Sequence, residues 1–141
     1  MAGGSGGGPG PLVPRCVRAN NPSPLTLDGT RTYLVGRRHV AIIDPGPALP
    51  AHLDAVAEEV GDAAAAAILV THGHPDHAGG AAALAERLGA PVRAAAAGTL
   101  APGDTVPTDE GDVVAVPTPG HTPDHYAFHW PAARAAFVGD L

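Results

Sequence analysis

Four potential metal ligands fall within six consecutive residues, and this cluster constrains the chain more than any other feature of its sequence. Neutral imidazole and carboxylate groups are ligands that Zn²⁺ and similar divalent metals accept. The glycine and the proline between them favour a tight loop over a helix, so the side chains can converge on one point. We therefore interpret the cluster as a metal-binding loop and not as a run of solvated polar residues. Its members are His72, His74, Asp76 and His77.

The cluster directly follows an apolar run, Ala66–Val70, which is typical of a strand buried on both faces. The carboxyl end of a strand is a common place for a binding site. Two more candidate ligands occupy similar positions. His121 follows the predicted strand 112–116 across a Pro-Gly turn, and Asp140 follows the apolar run 135–138. Alone, each of these two is a weak signal.

The rest of the pattern predicts one α/β or α+β domain with a mixed sheet. Alternating and apolar runs indicate strands, and residues at helical spacing indicate two helices. Residues 101–110 are expected to form a loop. The predicted strands are 12–19, 31–35, 39–43, 66–70, 91–96, 112–116, 126–130 and 135–138, and the predicted helices are 50–60 and 79–88.

Composition narrows the class of protein. The net charge is −6 and the eight basic residues, all arginine, are scattered, which argues against a general nucleic-acid binder. The sequence has no apolar run near the roughly 18 residues of a membrane helix. The single cysteine, Cys16, excludes a cysteine-based zinc site and an internal disulfide, and favours a cytoplasmic protein. Cys16 itself is expected to be buried.

Three segments together resemble the metallo-β-lactamase superfamily, whose hallmark is HxHxDH followed by a distant His and a distant Asp. They are THGHPDHAGG (71–80), TPGHTPDH (118–125) and FVGDL (137–141). The stretch 21–35 further resembles the β-lactamase-like protein 2 branch, near the glyoxalase II type.

The resemblance implies an αββα sandwich with two divalent metals between its sheets. The metals are expected to be zinc, with iron and manganese as alternatives. A metal-bound hydroxide would be the nucleophile, and Asp76 would help to orient it as a catalytic residue. Residues 12–141 would form the domain, after a flexible Gly/Pro-rich tail at 1–11. By the motif, His72, His74 and His121 would bind the first metal, Asp76 and His77 the second, and Asp140 would bridge them.

The function predicted from these residues is a metal-dependent hydrolase of an ester, thioester or phosphodiester. One alternative is an RNA endonuclease of the β-lactamase-like protein 2 type, which the acidic composition disfavours. Others are a non-catalytic metal-binding fragment or pseudoenzyme, and an interaction protein whose open sheet face binds a partner. The expected partner is a small-molecule ester or thioester, or RNA, with no DNA or membrane. An oligomer stays open.

The family pattern continues beyond the Gly-Asp motif, with more strands and helices and a final metal-ligating His. This sequence stops one residue after Asp140. We therefore expect a C-terminally truncated chain that holds the N-terminal half to two-thirds of the sandwich, with weak or no activity alone.

Four other residues also carry expectations. His125 could hydrogen-bond within the site, but a surface or hairpin position is the favoured interpretation. His39 and His52 are expected on the surface. Asp44, in the sequence IIDPG, either hydrogen-bonds a ligand His or forms a turn before Pro-Gly, and the sequence favours neither.

Overall fold

The computed structural model describes residues 14–18, 31–46, 49–71, 80–95, 98–118 and 125–137. They form nine strands, two α-helices and one 3₁₀ turn at Pro131–Ala133. The helices are α1 (Pro50–Val60) and α2 (Ala81–Leu88). The strands are β1 (Arg15–Arg18), β2 (Arg31–Val35), β3 (His39–Ile43), β4 (Ala64–Leu69), β5 (Val92–Arg93), β6 (Thr105–Thr108), β7 (Gly111–Pro117), β8 (Tyr126–Trp130) and β9 (Ala135–Phe137).

The first sheet is mixed and has the order β1-β2-β3-β4-β5. Its first three strands pair antiparallel, whereas β3, β4 and β5 run parallel because α1 and α2 serve as crossovers between them. Both helices lie on one face of this sheet. Buried side chains of that face, such as Leu34, Ile42 and Ile68, pack with Val56 of α1 and Leu84 of α2. This forms a helix layer over the first sheet.

Helix α1 begins with Pro50 in its first turn, where a missing N–H costs nothing, and ends at Gly61, whose N–H reaches the Ala57 carbonyl. Its buried residues, His52, Val56 and Val60, recur every four positions. They therefore form one stripe that faces the sheet. A histidine occupies the first position of this apolar stripe.

The second sheet is antiparallel, with the order β6-β7-β8-β9. It packs against the other face of the first sheet, and the shared core includes Val35, Leu69, Phe128 and Trp130. Trp130 is fully buried and donates its indole N–H to the Glu110 carbonyl at 2.9 Å. The layers are therefore helices, sheet and sheet, which confirms the predicted α/β class and mixed first sheet.

The prediction of a loop over residues 101–110 is wrong in part, because Thr105–Thr108 forms strand β6. Val106 is 5% exposed and belongs to the core between the sheets. Pro107 interrupts the apolar pattern, and such a proline is tolerated here because β6 lies at the edge of its sheet. With Pro107 inside it, the four-residue strand β6 is too short and irregular to recognise from the sequence.

One end of the sandwich is joined through Asp109, in the turn between β6 and β7. Its Oδ1 accepts hydrogen bonds from the backbone N–H groups of Arg37, Arg38 and His39, each at 2.9 Å. Burial alone would raise the pKa of this carboxyl. The hydrogen bonds from the three N–H donors outweigh burial and lower the pKa from its ordinary value of 3.8 to about 2. Asp109 thus ties the second sheet to the β2–β3 turn of the first.

None of the helices in the described ranges is long and apolar enough to span a membrane.

Candidate functional site

Strands from both sheets end together at the end of the sandwich opposite Asp109. Asp44 follows β3, and its N–H reaches the Leu69 carbonyl of β4 at 2.7 Å. Thr71 follows β4, and its carbonyl accepts the N–H of Tyr126 in β8 at 2.8 Å. This last bond connects the two sheets. At this end of the sandwich, which we call the site end, residues that are far apart in sequence are therefore joined by direct hydrogen bonds.

Asp44 holds the chain just before the predicted metal loop. Its carboxylate is buried and accepts the Thr71 N–H at 2.8 Å and the Thr71 hydroxyl at 2.8 and 3.0 Å. The Asp44 backbone has a φ of 57°, in the left-handed region that aspartate tolerates better than most residues. Both interpretations of Asp44, a bend before Pro-Gly and a hydrogen bond to a ligand His, stay predictions. A bond to a ligand His concerns residues outside the described part of the chain.

The same turn also holds the chain just after that loop. The Gly46 carbonyl accepts the N–H of Gly80, at the start of α2, at 2.7 Å. Residues 44–46 therefore contact both Thr71 and Gly80, which flank 72–79 in sequence. The distance between the two ends of this segment is set by a single turn.

His125 lies where the second sheet meets the site end. It is 1% exposed, so the prediction of a surface position is wrong. Its Nδ1 lies 2.8 Å from the Thr118 hydroxyl, and its carbonyl accepts the Thr118 N–H at 2.9 Å. Thr118 and His125 thus close the base of the segment 119–124, which contains the predicted ligand His121.

All six predicted ligands lie outside the described residues, in the segments 72–79, 119–124 and 138–141. The described residues that flank the first two segments, Thr71, Gly80, Thr118 and His125, lie at the site end. Strand β9 runs antiparallel to β8 and pairs Phe137 with Phe128, so it runs back towards that end. Among the residues whose positions are described, no group of three or more His, Cys, Asp or Glu side chains could hold a metal. The ligands concerned are His72, His74, Asp76, His77, His121 and Asp140.

His52 also reaches the site end, although it was predicted on the surface. It is 4% exposed, and its Nε2 lies 2.8 Å from the Thr32 hydroxyl. Burial lowers the pKa of the His52 imidazole, while the Pro45 backbone carbonyl opposes this shift. The four-residue spacing to Val56 and Val60 was the signal for its burial. Cys16, predicted to be buried, is exposed, whereas His39 is exposed as predicted.

Comparison with known proteins gives consistent results. The sequence matches the metallo-beta-lactamase superfamily over residues 25–109. An atrochrysone carboxyl ACP thioesterase from Aspergillus chevalieri is 35% identical over 143 residues, covering 92% of this chain and 46% of that protein. A hydroxyacylglutathione hydrolase from Jannaschia sp. (strain CCS1) is 48% identical over 84 residues, covering 52% of this chain and 32% of that protein.

The fold is similar to that of ETHE1 from Myxococcus xanthus. Its crystal structure aligns with a TM-score of 0.66 at 27% identity, covering 85% of this chain and 54% of that one. The chain spans about half the length of the curated relatives that it matches. It covers between 43% and 46% of two atrochrysone carboxyl ACP thioesterases and one lactamase-like protein.

Proposed function

Because this chain belongs to the metallo-beta-lactamase superfamily, we propose that it carries the metal-binding part of a hydrolase that cleaves a thioester or another ester. One observation carries the proposal. The described residues next to the first two candidate ligand segments, Thr71, Gly80, Thr118 and His125, lie at the end of the sandwich where Thr71 of one sheet bonds to Tyr126 of the other, and β9, before the third segment, runs towards that end.

The chemistry of the donor set fits divalent metals. Four imidazoles and two carboxylates suit zinc, iron or manganese, and thiolate ligands are not needed. In this proposal the metals would be held by His72, His74, His121, Asp76, His77 and Asp140. Bound divalent metals would supply Lewis-acid polarisation of the substrate carbonyl and would lower the pKa of water.

The chain's own residues prepare this site in two ways. The Asp44 carboxylate and the Gly46 carbonyl hold Thr71 and Gly80, so the first ligand segment starts and ends at fixed positions. The Thr118–His125 contacts fix the base of the segment with His121 in the same manner. We propose that Asp76, besides binding metal, accepts a hydrogen bond from the attacking water and orients it.

The names of two relatives support the proposed substrate class. One is named a carboxyl ACP thioesterase and another a hydroxyacylglutathione hydrolase, which supports a thioester substrate for this protein. An RNA substrate, an oligomer and a cytoplasmic location stay predictions. We also propose that residues 12–141 belong to a single domain, preceded by a tail at 1–11.

The test measures two properties of the full-length protein: its zinc content and its hydrolysis of acyl-glutathione and acyl-ACP thioesters. We expect about two zinc ions per chain, loss of activity with a chelator, and recovery when zinc is restored. His74→Ala should lower kcat/KM by at least about 100-fold and reduce the zinc content. His129→Ala, at an exposed position of β8, is the matched control and should change neither.

Two results would contradict the proposal. One zinc or less per chain without turnover would favour the non-catalytic metal-binding protein. Equal activity of His74→Ala and wild type would mean that the first ligand segment, 72–79, takes no part in the reaction.

A further inference from the structure

A buried histidine outside the ligand set supports the turn that holds the first ligand segment. Resting on the proposed function, we infer that His52 is a positioning residue for the metal site. It acts through Thr32 and the turn 44–46, and in its neutral form it donates its Nε2–H to Thr32.

The direction of these hydrogen bonds follows from the number of protons available. The Thr32 hydroxyl has one proton, which it donates to the Asp44 carbonyl at 2.6 Å. The same oxygen lies 2.8 Å from His52 Nε2, so it must accept there. His52 therefore has its proton on Nε2. The lowered pKa of His52 agrees with a neutral ring.

The ring also packs directly on the turn. A Cβ added to Gly46 would lie 2.7 Å from His52 Nε2 and 2.9 Å from its Cδ2, closer than real Cβ contacts allow. Gly46 has a φ of +81°, so a side chain there would also strain the backbone. His52 and the turn thus fit only with glycine at this position.

These contacts form a continuous path to both ends of the segment 72–79. Through Thr32, His52 fixes the backbone of Asp44, whose carboxylate binds Thr71. Its ring also lies against Gly46, with no room for a side chain between them, and the Gly46 carbonyl binds Gly80. Residues that orient metal ligands commonly change metal affinity by 10- to 100-fold when they are mutated.

One atom of the ring is unexplained by packing alone. His52 Nδ1 is buried and has no hydrogen-bond partner of normal geometry among the described residues, although the Pro45 carbonyl lies close enough to the ring to oppose the fall in its pKa. An apolar side chain would avoid this cost, because a buried polar atom without a partner is unfavourable. The donor at Nε2 is therefore what the histidine contributes at this position of α1.

The experiment compares His52→Leu, His52→Gln and Thr32→Val in the full-length protein, with His129→Gln as the control. The zinc dissociation constant is measured by competition with a chromophoric chelator. We expect His52→Leu and Thr32→Val each to weaken zinc binding about tenfold, and the double variant to be no weaker than either. His52→Gln keeps an N–H donor and should stay within about threefold of wild type, as should the control.

Two readouts in the zinc-free protein separate this inference from the proposed function. Amide exchange of Thr71 and Gly80 should be at least about tenfold faster in His52→Leu than in wild type. Long-range ¹H–¹⁵N spectra should show His52 as the neutral Nε2–H tautomer at pH 7. If the wild type binds no zinc, the proposed function fails, while these two results still decide the role of His52.

Three outcomes would overturn the inference. The first is an Nδ1–H or charged His52 at pH 7. The second is unchanged exchange at both Thr71 and Gly80. The third is that His52→Leu lowers the Tm of a zinc-binding protein but leaves its zinc dissociation constant unchanged. His52 would then be a core residue only.

Discussion

Two aspartates hold the two ends of this sandwich, and they do so in opposite surroundings. Asp44 is buried at the site end and, among the described residues, binds the backbone N–H and the hydroxyl of Thr71. Asp109 lies on the surface at the other end and binds three consecutive backbone N–H groups. We therefore expect burial to decide how much each carboxylate contributes to stability, because water can replace a lost partner only at the surface.

The largest difference should come from removing the buried carboxylate. Asp44→Ala leaves the Thr71 N–H and hydroxyl without this acceptor in a buried place and puts alanine at a positive φ. We expect the free energy of unfolding to fall by about 3 kcal/mol. Urea denaturation in the presence of a chelator measures this without a contribution from metal binding. Asp44→Asn, which keeps an acceptor and tolerates the backbone conformation, should lose less than half as much.

A smaller loss should follow when only the hydroxyl is removed. Thr71→Val keeps the backbone N–H bond to Asp44 and has nearly the same shape as threonine. The expected loss in free energy of unfolding is about 1–2 kcal/mol, measured in the same urea series. A loss equal to that of Asp44→Ala would mean that the hydroxyl alone accounts for the role of the aspartate.

Asp109→Ala should cost less, although it removes three hydrogen bonds. Water can reach the N–H groups at 37–39, so we expect about 1 kcal/mol, similar to the loss of a helix cap. Asp112→Ala, at an exposed position of β7, is the control for the loss of one surface carboxylate. A loss for Asp109→Ala as large as that for Asp44→Ala would refute the role of burial.

The smallest effect is a dependence on pH. The pKa of Asp109 is about 2 in the folded protein against 3.8 as its ordinary value, so its ionised form stabilises the fold above pH 3.8. This contribution is lost as the pH falls from 3.8 towards 2. The difference in free energy of unfolding between wild type and Asp109→Asn should therefore be constant from pH 5 to 7 and shrink below pH 4. A difference that grows on acidification would contradict the assignment.

The sequence predicts the local elements of this fold better than its long-range contacts. The hairpin 31–43 and helix α1 follow from short patterns that their own residues set, and both are found. The role of Asp109 has no local signal in the sequence, because its partners lie up to 72 residues away. The burial of His125 also depends on the second sheet and on Thr118, which local periodicity does not report.

The candidate site divides in the same way. Its ligand set was predicted from motifs, and the described structure adds the supports around it: the turn 44–46, the Thr118–His125 pair and His52. Asp44 could be singled out in the sequence, but its partner Thr71 could not, because that contact depends on the pairing of β3 with β4. The sequence of either strand alone does not determine the register in which the two strands pair.

The bond between the Thr71 carbonyl and the Tyr126 N–H has a consequence for how the protein is made. Its two residues are separated by 55 positions, so closing this contact carries the entropy cost of a long loop. During synthesis, the first ligand segment leaves the ribosome well before the strand that meets Thr71. Until that strand arrives, the four side chains proposed as metal ligands belong to an unfinished fold, and a metal that reached them early would meet a site still to be closed.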